Sequence, residues 1–98
     1  MDPALLARLT RRESVIARIK KILIESLYVP LPPEAIDLDV ALFGTGLGLD
    51  SVDALELVVA TESAFRVTFP EEALRHDLRT LNSLVDLVVA LEDARAAA

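Results

Sequence analysis

Val15, Ile16, Ile19, Ile22, Leu23 and Leu27 recur at intervals of three and four residues, which is the spacing of one face of an α-helix. Thr10 and Glu13 stand just before them at capping-box spacing. The pattern predicts a first long helix from about residue 11 to Tyr28. Val29-Pro30-Leu31-Pro32-Pro33 stops it, because proline lacks the helical N–H and its ring clashes with the preceding turn. Upstream, Asp2-Pro3 reads as the start of a short helical turn. Residues 1–10 are then an N-terminal extension in which Leu5, Leu6 and Leu9 are candidates for packing.

Periodicity lapses from Pro30 to Asp50. A structureless loop of about twenty residues is unusual in a compact domain. Leu31, Ile36, Leu38, Leu42 and Phe43 are apolar enough to pin it, so the expectation is an ordered loop with a helical turn. Helical spacing resumes in a second helix from Ser51 to about Ala64. Leu57, Val58, Thr61 and Phe65 share one face, and Val52, Leu55 and Val59 share another. A helix apolar on two faces is either largely buried or meets a partner; on spacing alone Leu55 reads as core. Residues 65–69 look extended. Pro70 to Leu74 read as a brief third helix with Pro70 at its first position. Thr80 caps a last helix whose core stripe is Leu81, Leu84, Val85, Val88 and Leu91, and the alanine-rich tail at 95–98 is expected to fray. The sum is all-α, a small bundle of three principal helices plus a short one, with the bundle proper at 11–94.

Composition narrows the classes. The 98 residues suit a single domain that buries about two-thirds of its extended surface. With 53% hydrophobic residues the chain is not a disordered one. The absence of cysteine rules out a disulfide or thiolate metal site. No apolar run approaches the length of a membrane span, and the start lacks the basic-then-apolar order of a secretory signal. The expectation is a cytoplasmic protein. The net charge of −6 is uneven: residues 1–27 hold six bases against three acids, and residues 28–98 hold four against thirteen. An acidic surface repels nucleic acid and attracts basic protein patches. The sparse basic stretch reads as a solvated helix face.

All three glycines fall in Gly44-Thr45-Gly46-Leu47-Gly48, directly before Leu49-Asp50-Ser51. Ser51 thus lies where a permissive loop meets a helix. Such a hydroxyl is accessible to another enzyme's active site, and the positive end of a helix favours a phosphodiester. Serine is also simply a favoured helix cap. A hydrolase triad of Ser51, His76 and an Asp lacks the strand-turn-helix setting that exposes a nucleophile. Asp37 and Asp39 fall short of the calcium-loop pattern and read as a solvated loop.

Gly48-Leu49-Asp50-Ser51-Val52-Asp53-Ala54-Leu55-Glu56-Leu57 resembles the phosphopantetheine attachment motif of acyl carrier proteins. Asp50, Ser51, Val52 and Glu56 fill its Asp-Ser-aliphatic places and the Glu five residues after the Ser. The layout of helices and loops is similar over about residues 12–94. The resemblance implies that a phosphopantetheinyl transferase moves 4′-phosphopantetheine from coenzyme A onto Ser51, beside Asp50, with Mg²⁺ held at the transferase. The arm's thiol would carry acyl groups as thioesters, and the protein would have no catalytic residue. It also implies docking through the second helix: Asp50, Asp53, Glu56 and Glu62 would meet basic patches on acyl-loading and acyl-processing enzymes, with Val52, Leu55 and Val59 as the apolar part. No nucleic acid or metal is implied, and a monomer is expected. Many housekeeping members continue with acids after the Glu62 position, where this chain has Ser63 and Ala64. That points to a dedicated carrier for a special pathway. A D-alanyl carrier and a non-carrier helical interaction module stay open.

Overall fold

The computed structural model describes residues 2–97, the side chain of Arg75 aside. Asp2 caps the first helix, its carboxylate accepting the Ala4 N–H at 3.0 Å with Pro3 in the first helical position. α1 then spans Pro3–Glu25 without a break. The fresh start expected at Thr10 does not occur. The cap at Asp2 and a run rich in Ala, Leu and Arg carry the helix through a pattern that only resembled a beginning. Leu5, Leu6 and Leu9 are exposed rather than packed; burial in α1 starts at Val15 and continues at Ile19 and Leu23. The helix ends before the prolines. Tyr28 takes a left-handed conformation at φ 58°, and the Val29 N–H turns back onto the Leu23 carbonyl at 3.0 Å.

The loop that follows is ordered. It holds one 3-10 turn at Pro33–Ala35, whose Pro33 carbonyl accepts from Lys20 Nζ at 2.9 Å. Ile36 and Leu42 are buried, Leu38 and Phe43 are half-buried, and Leu31 is exposed, contrary to its expected packing. Backbone bonds stitch the loop to the start of the last helix: Leu42 N–H to the Arg79 carbonyl at 2.9 Å, Asn82 N–H to the Leu38 carbonyl at 2.8 Å, and an antiparallel bridge between Ala41 and Thr80. Satisfying backbone groups in this way is what allows a long segment to lie against a core.

α2 covers Ser51–Phe65, α3 covers Glu71–His76 and α4 covers Leu81–Ala97. Pro70 is the cap of α3 rather than its first residue. Thr80 and Ser83 cap α4 reciprocally, with the Ser83 N–H on Thr80 Oγ1 at 3.1 Å and the Thr80 N–H on Ser83 Oγ at 3.0 Å. α4 is helical through Ala97, so the tail expected to fray continues the helix at 95–97; Ala98 lies outside the described residues. The core joins Ile19 and Leu23 of α1, Leu57 and Phe65 of α2, and Leu81, Leu84, Val85 and Val88 of α4. Each such side chain contributes roughly 1.5–3 kcal/mol by leaving water.

The N-terminal bases are not merely solvated. Arg11 bonds Asp93 at 2.6 Å and Glu92 at 3.2 Å, and Arg12 bonds Asp86 and Asn82, each at 2.6 Å. Asp93 first, then Glu92, holds the Arg11 guanidinium above its usual pKa. Arg11 and Arg12 thus tie α1 to the acids of α4 beside the apolar core the two helices share.

Candidate functional site

The loop ahead of α2 is shaped by close backbone approach. A Cβ on Gly46 would sit 1.8 Å from the Ala41 carbonyl oxygen, so only glycine fits. Gly48 lies at φ 74°, in the left-handed region where side chains are strained. The loop closes on itself through Leu47 N–H to the Ala41 carbonyl at 2.8 Å and Leu49 N–H to the Leu42 carbonyl at 3.2 Å. Leu42 and Leu49 are buried beneath it. The loop therefore delivers the chain to α2 from a fixed platform.

The cap of α2 is Asp50, not Ser51. Asp50 Oδ1 accepts the Asp53 N–H at 2.9 Å, and Asp53 Oδ2 accepts the Asp50 N–H at 3.1 Å. This reciprocal box leaves Ser51 as the first helical residue. Its side chain is exposed, and among the described residues its hydroxyl has no hydrogen-bond partner. The capping explanation for Ser51 is thereby removed, since a neighbour does that work. The N–H groups of Ser51 and Val52 lack intrahelical acceptors, as first-turn donors do, and the partial positive charge of a helix start favours an anion there.

Downstream, the exposed face of α2 carries Val52 at 71% exposure, Leu55 at 66% and Val59 at 56%. Leu55 is thus surface rather than core. Glu56 is exposed between them with no ion pair among the described residues. Asp53 is half-buried and its carboxylate serves the box. Glu62 has a structural task as well: its carboxylate accepts the Phe69 N–H at 2.7 Å and ties α2 to the connection before α3. Asp50, Ser51, Val52, Leu55, Glu56 and Val59 lie along the N-terminal part of α2, and Glu62 follows one turn later on the Leu55–Val59 side.

The triad is not assembled among the described residues: His76 is exposed at the end of α3, and no hydrogen bond joins it to Ser51. Asp37 accepts the Asp39 N–H at 2.8 Å in a local turn, and Asp39 accepts from Asn82 Nδ2 at 3.0 Å.

Three features escaped the sequence pattern. Arg18 lies over the Phe65 ring, 4.2 Å from its centroid, and donates to the Ala64 carbonyl. Arg95 donates to the carbonyls of Arg66 at 3.0 Å and Phe65 at 3.4 Å. Thr61 is buried at 0% exposure, and its Oγ1 has no partner. A hydroxyl buried unpaired costs about 1–3 kcal/mol. Spacing placed Thr61 on the inner face, and nothing in the pattern signalled that its hydroxyl would be unmet.

The model of the phosphopantetheine attachment site family matches residues 17–88, which span the loop, Ser51 and α2. The chain belongs to that family. Membership implies a covalently attached 4′-phosphopantetheine, and a free, exposed hydroxyl at a helix start fits such a group. The fold is similar to that of a crystal structure of an acyl carrier protein from Thermotoga maritima, with a TM-score of 0.72 and 26% identity, covering 86% of this chain and 93% of that one. The family and the fold together make this a carrier protein with an acyl carrier protein fold.

Proposed function

We propose that Ser51 is the attachment residue and that the protein carries acyl intermediates as thioesters between enzymes of a fatty-acid, lipid or polyketide type of biosynthesis. The observation that carries this reading is the division of labour at the start of α2. Asp50 and Asp53 close the helix end between them, and the Ser51 hydroxyl is left exposed and unbonded. The Ser51 hydroxyl would displace adenosine 3′,5′-bisphosphate from coenzyme A, forming a phosphodiester and losing its proton. The bound group then supplies the thiol. This chain has no cysteine to compete with that thiol in a reducing cytoplasm.

Partner enzymes would dock on the exposed face of α2. Glu56, with the remaining charge of Asp50 and Asp53, would meet basic side chains, and Val52, Leu55 and Val59 would bury against apolar ones. Acids facing bases across a contact steer encounter as well as strengthening it. Ser63 and Ala64, half a turn before the end of α2, leave that end without further acids, which supports a dedicated rather than a housekeeping carrier. The protein would act as a monomer and catalyse nothing itself.

The test is intact mass after incubation with coenzyme A, Mg²⁺ and a broad-range phosphopantetheinyl transferase. One phosphopantetheine is expected on the native chain and none on Ser51→Ala. No gain, or a gain that survives the substitution, overturns the assignment.

A further inference from the structure

Every side chain from Pro3 to Thr10 is exposed, so the first two turns of α1 run past the core and bury nothing. They precede residue 17, where the family match begins, so what the family shares does not account for them. Beside this overhang lies an open trough of about 670 Å³. It is lined by Leu6, Ala7, Thr10 and Ser14 on one face of α1 and by Phe65 of α2. Ala7, Thr10 and Ser14 are three and four residues apart and form a strip of small side chains. Side chains of that size let a second helix approach closely. From Pro3 to Arg18 the trough follows α1 for about 22 Å, or four turns.

The charges along it are unequal. Arg11 and Glu92 line it as a closed pair at 3.2 Å. Arg18 also lines it, stacked on Phe65 and bonded to a carbonyl, and among the described residues no acid pairs with it. Lys21 lies two turns after Ser14 on the same face. It is exposed and likewise without an ion pair among the described residues. With Arg18 and Glu25 it lines an adjoining hollow of about 230 Å³. Two bases meet one acid there, in a chain whose net charge is −6. This end of the trough is therefore positive, opposite in sign to the α2 face that carries Glu56.

We propose that the trough is a second docking surface and that its occupant is an acidic amphipathic helix of another protein. The apolar side of that helix lies on Leu6, Ala7 and the small strip, and carboxylates toward one of its ends meet Arg18 and Lys21. This is helix-in-groove recognition, and charge selects the occupant. A basic patch suited to Glu56 is repelled by Arg18 and Lys21, so the two surfaces take different partners. Phe65 is 14 residues after Ser51 on α2, about 21 Å along the axis. A helix lodged in the trough thus leaves Ser51 uncovered, and the chain stays attached to one protein while others reach that hydroxyl.

The experiment uses the unmodified full chain and two fluorescein-labelled synthetic peptides of about 18 residues, long enough to hold a helix. Both carry one leucine–alanine stripe; the flanks are glutamate in one and lysine in the other. Anisotropy titration at low salt should show saturable binding of the glutamate peptide. Its dissociation constant should rise about tenfold or more in Leu6→Asp and in Lys21→Glu, and rise with salt. Leu6 and Lys21 are exposed, so both variants should keep the native thermal midpoint. No binding of the glutamate peptide overturns the proposal, as does binding that both substitutions leave unchanged. Binding of the lysine peptide that Leu6→Asp weakens also overturns it, because charge would not then select the occupant. Self-association in sedimentation that Leu6→Asp abolishes would give the trough to a second copy. Binding to phosphatidylglycerol vesicles that Leu6→Asp abolishes would give it to a lipid surface. Either result overturns the proposal. None of these readouts involves Ser51, so the attachment test stands or falls separately.

Discussion

The two ends of α2 are built differently. At its C-terminal end Arg18 stacks on Phe65 and bonds the Ala64 carbonyl, Arg95 bonds the next two carbonyls, and Glu62 holds the Phe69 N–H. Cationic groups there also complement the negative end of the helix dipole. Arg66 completes the end in a left-handed conformation at φ 56°. At the N-terminal end Asp50 and Asp53 satisfy only each other's backbone. Ser51, Val52, Leu55 and Glu56 are exposed and, among the described residues, no side chain is bonded to them. The C-terminal end is thus held by side chains of other helices, whereas the N-terminal end rests on its own cap and the loop before it, which leaves the Ser51 side chain uncovered. The contrast separates residues that keep α2 in place from residues that await something else.

The sharpest break in that contrast is Ser51→Ala. Modification should fall from complete to none, while the urea midpoint stays within experimental error, because alanine suits a first helical position and no bond is lost. A substantial loss of stability would mean that Ser51 supports the fold. At the opposite end, Phe65→Ala should cost about 3–5 kcal/mol in urea unfolding, since it empties a core position and removes the surface that Arg18 covers. The protein that remains folded should still be modified. If Phe65→Ala abolished modification without loss of stability, the division between the two ends would fail. Gly46→Ala comes next, at about 1–3 kcal/mol for the forced backbone shift around Ala41, read in the same unfolding assay.

Much of this arrangement was legible in the sequence. The helical stripes at Val15–Leu27 and Leu81–Val88, the proline stop and the position of Ser51 all rest on spacing and local chemistry, and apart from the start of α1 each helix lies within a few residues of its expected place. The start of α1 was misread because a capping box is necessary to neither the start nor the interior of a helix: Thr10 and Glu13 are ordinary surface residues once Asp2 has capped the chain. Leu55 was ambiguous because a helix apolar on two faces does not say which face meets the core; α1 packing against the Leu57–Phe65 side decides it. Glu62, Arg18 and Arg95 were beyond reach, since their partners are backbone groups on other elements. Serine as cap was a fair inference from residue type, and only geometry moved the cap to Asp50.

The smallest effect bears on the site itself. Asp50 both caps α2 and lends charge beside Ser51, and two substitutions separate these roles. Asp50→Ala should cost about 1 kcal/mol in unfolding, because the Asp53 N–H loses its acceptor. Asp50→Asn should cost only a few tenths of that, because the asparagine side-chain oxygen caps equally well. Transferase kinetics then report on charge alone in the asparagine variant. If Asp50 takes part in docking, Asp50→Asn should raise KM for the carrier at low salt and the difference should shrink as salt is added, because exposed charges are screened. If Asp50→Asn is kinetically silent while Asp50→Ala is not, the aspartate matters to the open end of α2 only as a cap, and the electrostatic part of docking falls to Glu56.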